Sequence, residues 1–195
     1  MISAQGKFGQ NKVSFVTLNY DRSLERYFFR RLKAQHRYAN DKACLNELYQ
    51  LRFVHVYGSL GDERFIEHPY GRLESSPDEV RRSADRLRII REETTEAPYL
   101  AQAVELLKEA DVICFLGYGF HRLNNQRLGL SDRATEDRKT HRQQWFASRF
   151  GITDAEFNRL TIGFHDRFFN LINTRQYADE NDGALEVLRK LPVLG

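Results

Sequence analysis

The chain has 195 residues, of which 41% are hydrophobic and 29% charged, with a formal net charge of +3. That length supports one domain, or two small ones at most, and a core that buries roughly 70% of the unfolded surface. The composition excludes wholesale disorder and collagen-like or coiled-coil repeats.

The longest apolar runs fall far short of the ~20 residues a membrane span needs, so no membrane association is expected. The segment after Met1 has no apolar stretch of signal-peptide type. Cys44 and Cys114 lie in apolar surroundings and fit reduced thiols of a cytoplasmic protein. The basic residues are mostly arginine and alternate with Glu and Asp, as over residues 81–96. They read as solvated faces. Nucleic-acid binding needs a clustered basic stripe and is not expected.

In chain order, residues 13–18 are short, β-branched and apolar, and predict a buried strand. A helix over residues 21–35 follows, with Leu24, Tyr27, Phe28 and Leu32 as its apolar stripe. A second helix is predicted over 41–51 on Leu45, Leu48 and Tyr49, then a strand over 52–57 stopped by Gly58. Residues 61–77 mix Gly, Pro, Ser and Asp and read as a surface excursion. Residues 87–91 fit a strand or part of a helix.

A helix over 97–109 points Leu100, Val104 and Leu107 inward, and 112–116 is the clearest strand, ended by Gly117. Beyond Ser131 the pattern turns helical, with helices predicted over 137–150, 154–160 and 183–191. This divides the chain into an α/β part, residues 1–130, and a helical extension, 131–195, packed on the same core. No internal repeat is present.

Strands alternating with helices imply an α/β fold with a parallel sheet covered on both faces. Each of the three apolar strands ends in a small polar turn, and ligands of open α/β sheets bind outside the carboxyl ends of the strands. The turns Asn19-Tyr-Asp21, Gly58-Ser59 and Gly117-Tyr-Gly-Phe120 are therefore expected on one rim.

The first turn, Thr17-Leu-Asn19-Tyr-Asp21, offers an amide that both donates and accepts, able to orient a water or a sugar hydroxyl. Asp21 can support it or bind a ribose; equally, Asp21 can cap the helix and Asn19 can be a turn residue. In the second segment, His55 and Tyr57 would share a strand face, and a histidine near a sheet mouth suits a general base. A core histidine bonded to a neighbour is the alternative. Gly58 would let a ligand approach the backbone, and Ser59 offers a hydroxyl. The third segment, Gly117-Tyr118-Gly119-Phe120, exposes backbone N–H groups of the kind that hold phosphate or ribose, with Asn124 close behind. Cys-x-x-Cys and His-Glu-x-x-His spacings, Walker loops and nucleophile elbows are all missing, so no metal site is expected.

Together, Asn19-Tyr-Asp-Arg-Ser-Leu-Glu25, His55-Val-Tyr-Gly-Ser-Leu-Gly61 and Phe115-Leu-Gly-Tyr-Gly-Phe-His121 resemble the sirtuin-like NAD-consuming domains of bacterial phage-defence proteins. The resemblance spans about residues 13–130. It implies a Rossmann-like parallel sheet flanked by helices and hydrolysis of NAD, as substrate, to nicotinamide and ADP-ribose. By this resemblance Asn19, Asp21 and His55 are the catalytic set. Thr17, Tyr57, Gly58, Ser59, Gly117, Tyr118, Gly119, Phe120 and Asn124 contact the dinucleotide.

The sequence departs from the family twice. The histidine that directly precedes Gly in sirtuins is Tyr57 here, with His55 roughly 6.5–7 Å back along a strand. The family's Gly-Ala-Gly-x-Ser phosphate loop has no counterpart in the residues before Val13. The chain is thus expected to be the C-terminal portion of such a domain, with a homo-oligomer or another chain supplying the missing half. The cysteine-based zinc module of protein deacetylases is also missing, which disfavours protein deacylation. The alternative function is a non-catalytic remnant or regulatory module that binds a partner on the same scaffold.

Overall fold

The computed structural model describes residues 8–35, 38–60, 76–86, 98–131, 143–163, 181 and 183–190. Most of the expected excursion over 61–77, the ambiguous segment 87–91 and the start of the helix expected over 137–150 lie outside the described residues.

After a single 3-10 turn at Phe8–Gln10, the elements are β1 (Ser14–Thr17), α1 (Ser23–Ala34), α2 (Asp41–Leu48), β2 (Arg52–His55), α3 (Pro77–Arg86) and α4 (Pro98–Glu109). There follow β3 (Val112–Phe115), α5 (Arg122–Arg127), β4 (Gln144–Ala147), α6 (Asp154–Leu160) and α7 (Ala184–Lys190). The architecture is mixed α/β, with two parallel strand pairs and helices packed on them. The chain forms two compact units, Ile2–Ala103 and Val104–Gly195.

In the first unit, β1 and β2 pair in parallel with Thr17 opposite His55. Parallel neighbours need a long crossover, which α1 and α2 supply. Asn40 caps α2 by accepting the Ala43 N–H at 2.9 Å, the usual solution for an orphaned first-turn donor. Phe29, Leu32, Cys44, Leu48 and Leu51 form the core, with Phe15 and Phe53 of the strands against it. Those two rings stack at 5.0 Å, and Phe28 tilts against both. The Cys44 thiol donates to the Phe29 carbonyl at 3.7 Å, joining α2 to α1.

The buried face of α1 differs from the expected stripe. Leu24 and Tyr27 are exposed, whereas Glu25, Phe29 and Leu32 are buried. Of the expected stripe, Leu32 is buried and Phe28 packs against the core, while Leu24 and Tyr27 give way to Glu25 and Phe29.

In the second unit, β3 and β4 pair in parallel, Val112 opposite Gln144 and Phe115 opposite Ala147. This corrects the helical reading of residues 131–195: residues 144–147 are a strand. Trp145, Phe146 and Ala147 are all buried, so both faces of the strand are covered and it carries no alternation to read. Just before it, Gln143 Nε2 donates to the carbonyls of Leu107 and Ala110 at 2.7 and 2.8 Å, satisfying the end of α4. Val187 of α7 packs on Phe146. The helix at α6 agrees with expectation, and Thr153 caps it by accepting the Glu156 N–H in a Thr-x-x-Glu arrangement.

Helix α3 was not expected. Pro77 opens it, and the Val80 N–H donates to the Ser76 carbonyl. Ser-Pro-Asp-Glu is a helix-start pattern, with Pro at the position where a missing N–H costs nothing. No helix among the described residues is long and apolar enough to cross a membrane.

Candidate functional site

The carboxyl ends of β1 and β2 bring two of the three polar segments side by side. Beyond the last paired residues, the Val56 N–H donates to the Thr17 carbonyl at 2.9 Å and the Leu60 N–H to the Tyr20 carbonyl at 2.7 Å. Strand β2 stops at His55, two residues short of expectation. The Gly58 N–H donates back to the His55 carbonyl at 3.0 Å, and Gly58 takes φ +82°. Tyr57 therefore sits in a turn, not on the strand face of His55. Its half-buried ring lies 6.5 Å from the exposed ring of Tyr20, centroid to centroid.

Asn19 is exposed, and its carboxamide makes no hydrogen bond among the described residues. Its backbone is held at both ends. The Asn19 N–H donates to Thr17 Oγ1 at 3.1 Å, and its carbonyl accepts from His55 Nδ1 at 2.8 Å. Asp21 Oδ1 accepts the Ser23 N–H at 2.9 Å in a local Asx turn, while the N-cap of α1 is Arg22 and not Asp21. Ser59 Oγ accepts from Arg22 Nη2 at 3.2 Å.

His55 is buried with both ring nitrogens occupied, Nδ1 by the Asn19 carbonyl and Nε2 by Glu25 Oε1 at 2.8 Å. In this arrangement it faces the chain, not an incoming ligand. Glu25 has no exposed surface to speak of, 1%, and Arg22 Nη1 lies 3.8 Å from the same carboxylate oxygen.

The third segment lies after β3. Gly117 is exposed with φ +63°, and its N–H donates to Ser148 Oγ at 2.8 Å. Gly119 is exposed, outside the positive-φ region, and a Cβ there would meet nothing within 4 Å among the described residues. Phe120 is fully buried. Tyr118 Oη donates to Asn125 Oδ1 at 3.0 Å, and Asn125 Nδ2 donates to the carbonyls of Phe120 and Leu160 at 2.8 and 3.3 Å. Asn124 is half-buried on α5. Among the described residues no group of three or more His, Cys, Asp or Glu is placed to hold a metal ion.

No family model, curated protein or solved structure matches the chain.

Three contributors were missed from sequence: Glu25, Arg22 and Asn125. Glu25 carried one readable signal, an acidic residue at i and apolar residues at i+4 and i+7 of an amphipathic helix. A glutamate on that face demands a buried partner. Asn125 carried none, since an Asn-Asn pair does not say which amide turns inward.

Proposed function

We propose that the chain is a sirtuin-like NAD-handling domain of Rossmann-like type, cleaving NAD to nicotinamide and ADP-ribose in defence against phage, with Asn19 at the reacting end. The observation that carries this reading is the exposed carboxamide of Asn19, without a hydrogen bond among the described residues, on a turn whose backbone is fixed from three sides. The amide can hold a water through one atom and a ribose hydroxyl through the other. Cleavage of the nicotinamide–ribose bond builds positive charge on the ribose, so oriented polar groups and exclusion of bulk water serve it better than a strong nucleophile. Asp21 Oδ1 accepts the Ser23 N–H just ahead of α1, which leaves its other oxygen to support the ribose in this reading.

A second reading, a non-catalytic module on the same scaffold, is favoured by one observation. Both nitrogens of His55 are spent inside the chain, which leaves no base at its position.

The test is NAD titration and nicotinamide release by the purified chain, beside Asn19→Ala. Release that falls about 10²-fold in Asn19→Ala supports the enzyme. Saturable NAD binding without release, weakened by Asn19→Ala, supports the module. Neither binding nor release rejects both.

A further inference from the structure

We infer that Glu25 is a positioning residue for Asn19, acting through the imidazole of His55 as a rigid strut. The catalytic consequence rests on the NAD reading above; the strut itself does not.

A glutamate with 1% exposure is rare unless its charge or its proton is accommodated inside. Here Oε1 meets His55 Nε2 at 2.8 Å, while Oε2 is buried without a hydrogen bond among the described residues. The Glu25 carboxyl group thus meets the histidine through a single oxygen, which Arg22 Nη1 also approaches at 3.8 Å. On the far side of the ring, Nδ1 lies 2.8 Å from the Asn19 carbonyl. A carbonyl only accepts, so Nδ1 carries a proton and donates it. A second proton lies between Nε2 and Glu25, whichever of the two holds it. Rotating the ring would turn a C–H toward one acceptor or both, so the two contacts fix its plane and its tautomer together.

The strut ends on the backbone of the residue whose side chain is left uncommitted. It joins α1 to the turn after β1 across 30 residues of sequence, from Glu25 to His55, and a further 36 back to Asn19. The Asn19 N–H bond to Thr17 and the Leu60 N–H bond to Tyr20 hold the peptides on either side. Filling the core needs none of this, because an apolar pair of similar volume packs at least as stably as a buried ionic one. What an apolar pair lacks is a donor aimed at the Asn19 carbonyl.

The experiment uses the full chain, labelled with ¹⁵N, as wild type, Glu25→Gln, Glu25→Met and Asn19→Ala. Three readouts are taken: the ring nitrogens of His55, the backbone and carboxamide signals of Asn19, and nicotinamide release. Glu25→Gln keeps a donor for Nε2, so the protonated Nδ1 and the Asn19 signals are expected to stay, with release within about threefold of wild type. Glu25→Met fills the space without a hydrogen bond. It is expected to lose the Nδ1–H signal, shift the Asn19 signals and lower release by about 10²-fold, the scale of a small misplacement at a reacting centre.

A folded Glu25→Met with unmoved His55 and Asn19 signals overturns the proposal. Should Glu25→Met fail to fold, Glu25→Asp carries the same two outcomes, keeping the charge but falling one methylene short of Nε2. If wild type releases no nicotinamide, or Asn19→Ala leaves release unchanged, the NAD reading fails, and the His55 and Asn19 signals still decide whether Glu25 holds the turn.

Discussion

Asn125 Nδ2 donates at 2.8 Å to the carbonyl of Phe120, the one described residue other than glycine with a positive φ, 51°. The left-handed region costs a residue with a Cβ about 1–2 kcal/mol, so the surroundings must hold it there. They do so from two directions. Asn125 grips the backbone, and the Phe120 ring is wedged against Tyr118, Phe115 and Phe157 at 5.0–5.4 Å. The turn after β3 is rigid beneath and open above, where Gly117 and Gly119 are exposed.

Asn125→Ala removes the partners of the Tyr118 hydroxyl and of the Phe120 and Leu160 carbonyls. Of these three bonds the one to Phe120 is buried and the other two are half-buried. At about 1–3 kcal/mol for a buried bond lost, the variant is expected to be destabilised by at least ~1 kcal/mol in urea unfolding. Phe120→Gly relieves the backbone but opens a cavity, and loss of a buried aromatic costs about 3–5 kcal/mol. It is therefore expected to destabilise despite the relief. A Phe120→Gly protein more stable than wild type would mean that the aromatic packing does not hold the turn.

The Glu25–His55 pair calls for a double-mutant cycle. His55→Phe leaves the buried Glu25 with only Arg22, 3.8 Å away, beside it, and breaking a buried pair costs about 3–5 kcal/mol. Adding Glu25→Met removes the orphaned charge. The double variant is expected to be more stable than His55→Phe alone, with a coupling of about 1–3 kcal/mol in denaturant melts. Additive single effects would show that the two side chains do not depend on each other.

These residues also mark how far the sequence could be read. Strands β1, β2 and β3 were legible because each is a short apolar run with a polar stop, and α2, α4, α6 and α7 because of their apolar spacing, joined in α2 and α6 by a side-chain cap. Strand β4 was not, since Trp145, Phe146 and Ala147 are buried on both faces and leave neither a period of two nor of 3.6. The stripe of α1 was read correctly at Phe28 and Leu32 and wrongly at Leu24 and Tyr27: hydrophobicity favoured Leu24, while Glu25 is the residue turned inward, against His55. Asn19 and His55 stood out by type and position at strand ends. Whether His55 would face outward as a base or inward as a strut depended on Glu25, 30 residues earlier in the chain, and no local pattern carries that.

The cysteines give a pH dependence with a definite sign. Burial pushes the Cys114 thiol up to about 11 and raises Cys44 as well. Between about pH 9 and 11 the unfolded chain has lost the Cys114 proton while the folded chain keeps it, so the unfolded state binds fewer protons. Stability is then expected to fall as pH rises through that window. The urea midpoint should drop from pH 9 to pH 11, and less so in Cys114→Ala. Alkylation by iodoacetamide at pH 8 should be slow in the native protein and fast in denaturant. Rapid native labelling of Cys114 at pH 8 would contradict the packing of this half-buried thiol against Phe146 and Val187.

The last prediction separates the two exposed glycines after β3. Gly117 needs its residue type for conformation, since φ +63° costs any residue with a Cβ about 1–2 kcal/mol. Gly117→Ala is expected to lower stability by that amount. Gly119 has no such need: its φ is ordinary, and an added Cβ meets nothing within 4 Å among the described residues. Gly119→Ala is expected to be neutral or to stabilise by about 0.4–1 kcal/mol, by restricting the unfolded chain. On the NAD reading proposed above, this turn would contact the dinucleotide. Gly119→Leu should leave the melting temperature near wild type while weakening NAD binding at least tenfold, about 1.4 kcal/mol. Calorimetric titration beside a thermal melt reads both quantities on one sample. Unchanged NAD affinity in a well-folded Gly119→Leu protein would remove this turn from the binding site, and an equal loss of stability and affinity would assign Gly119 to the fold.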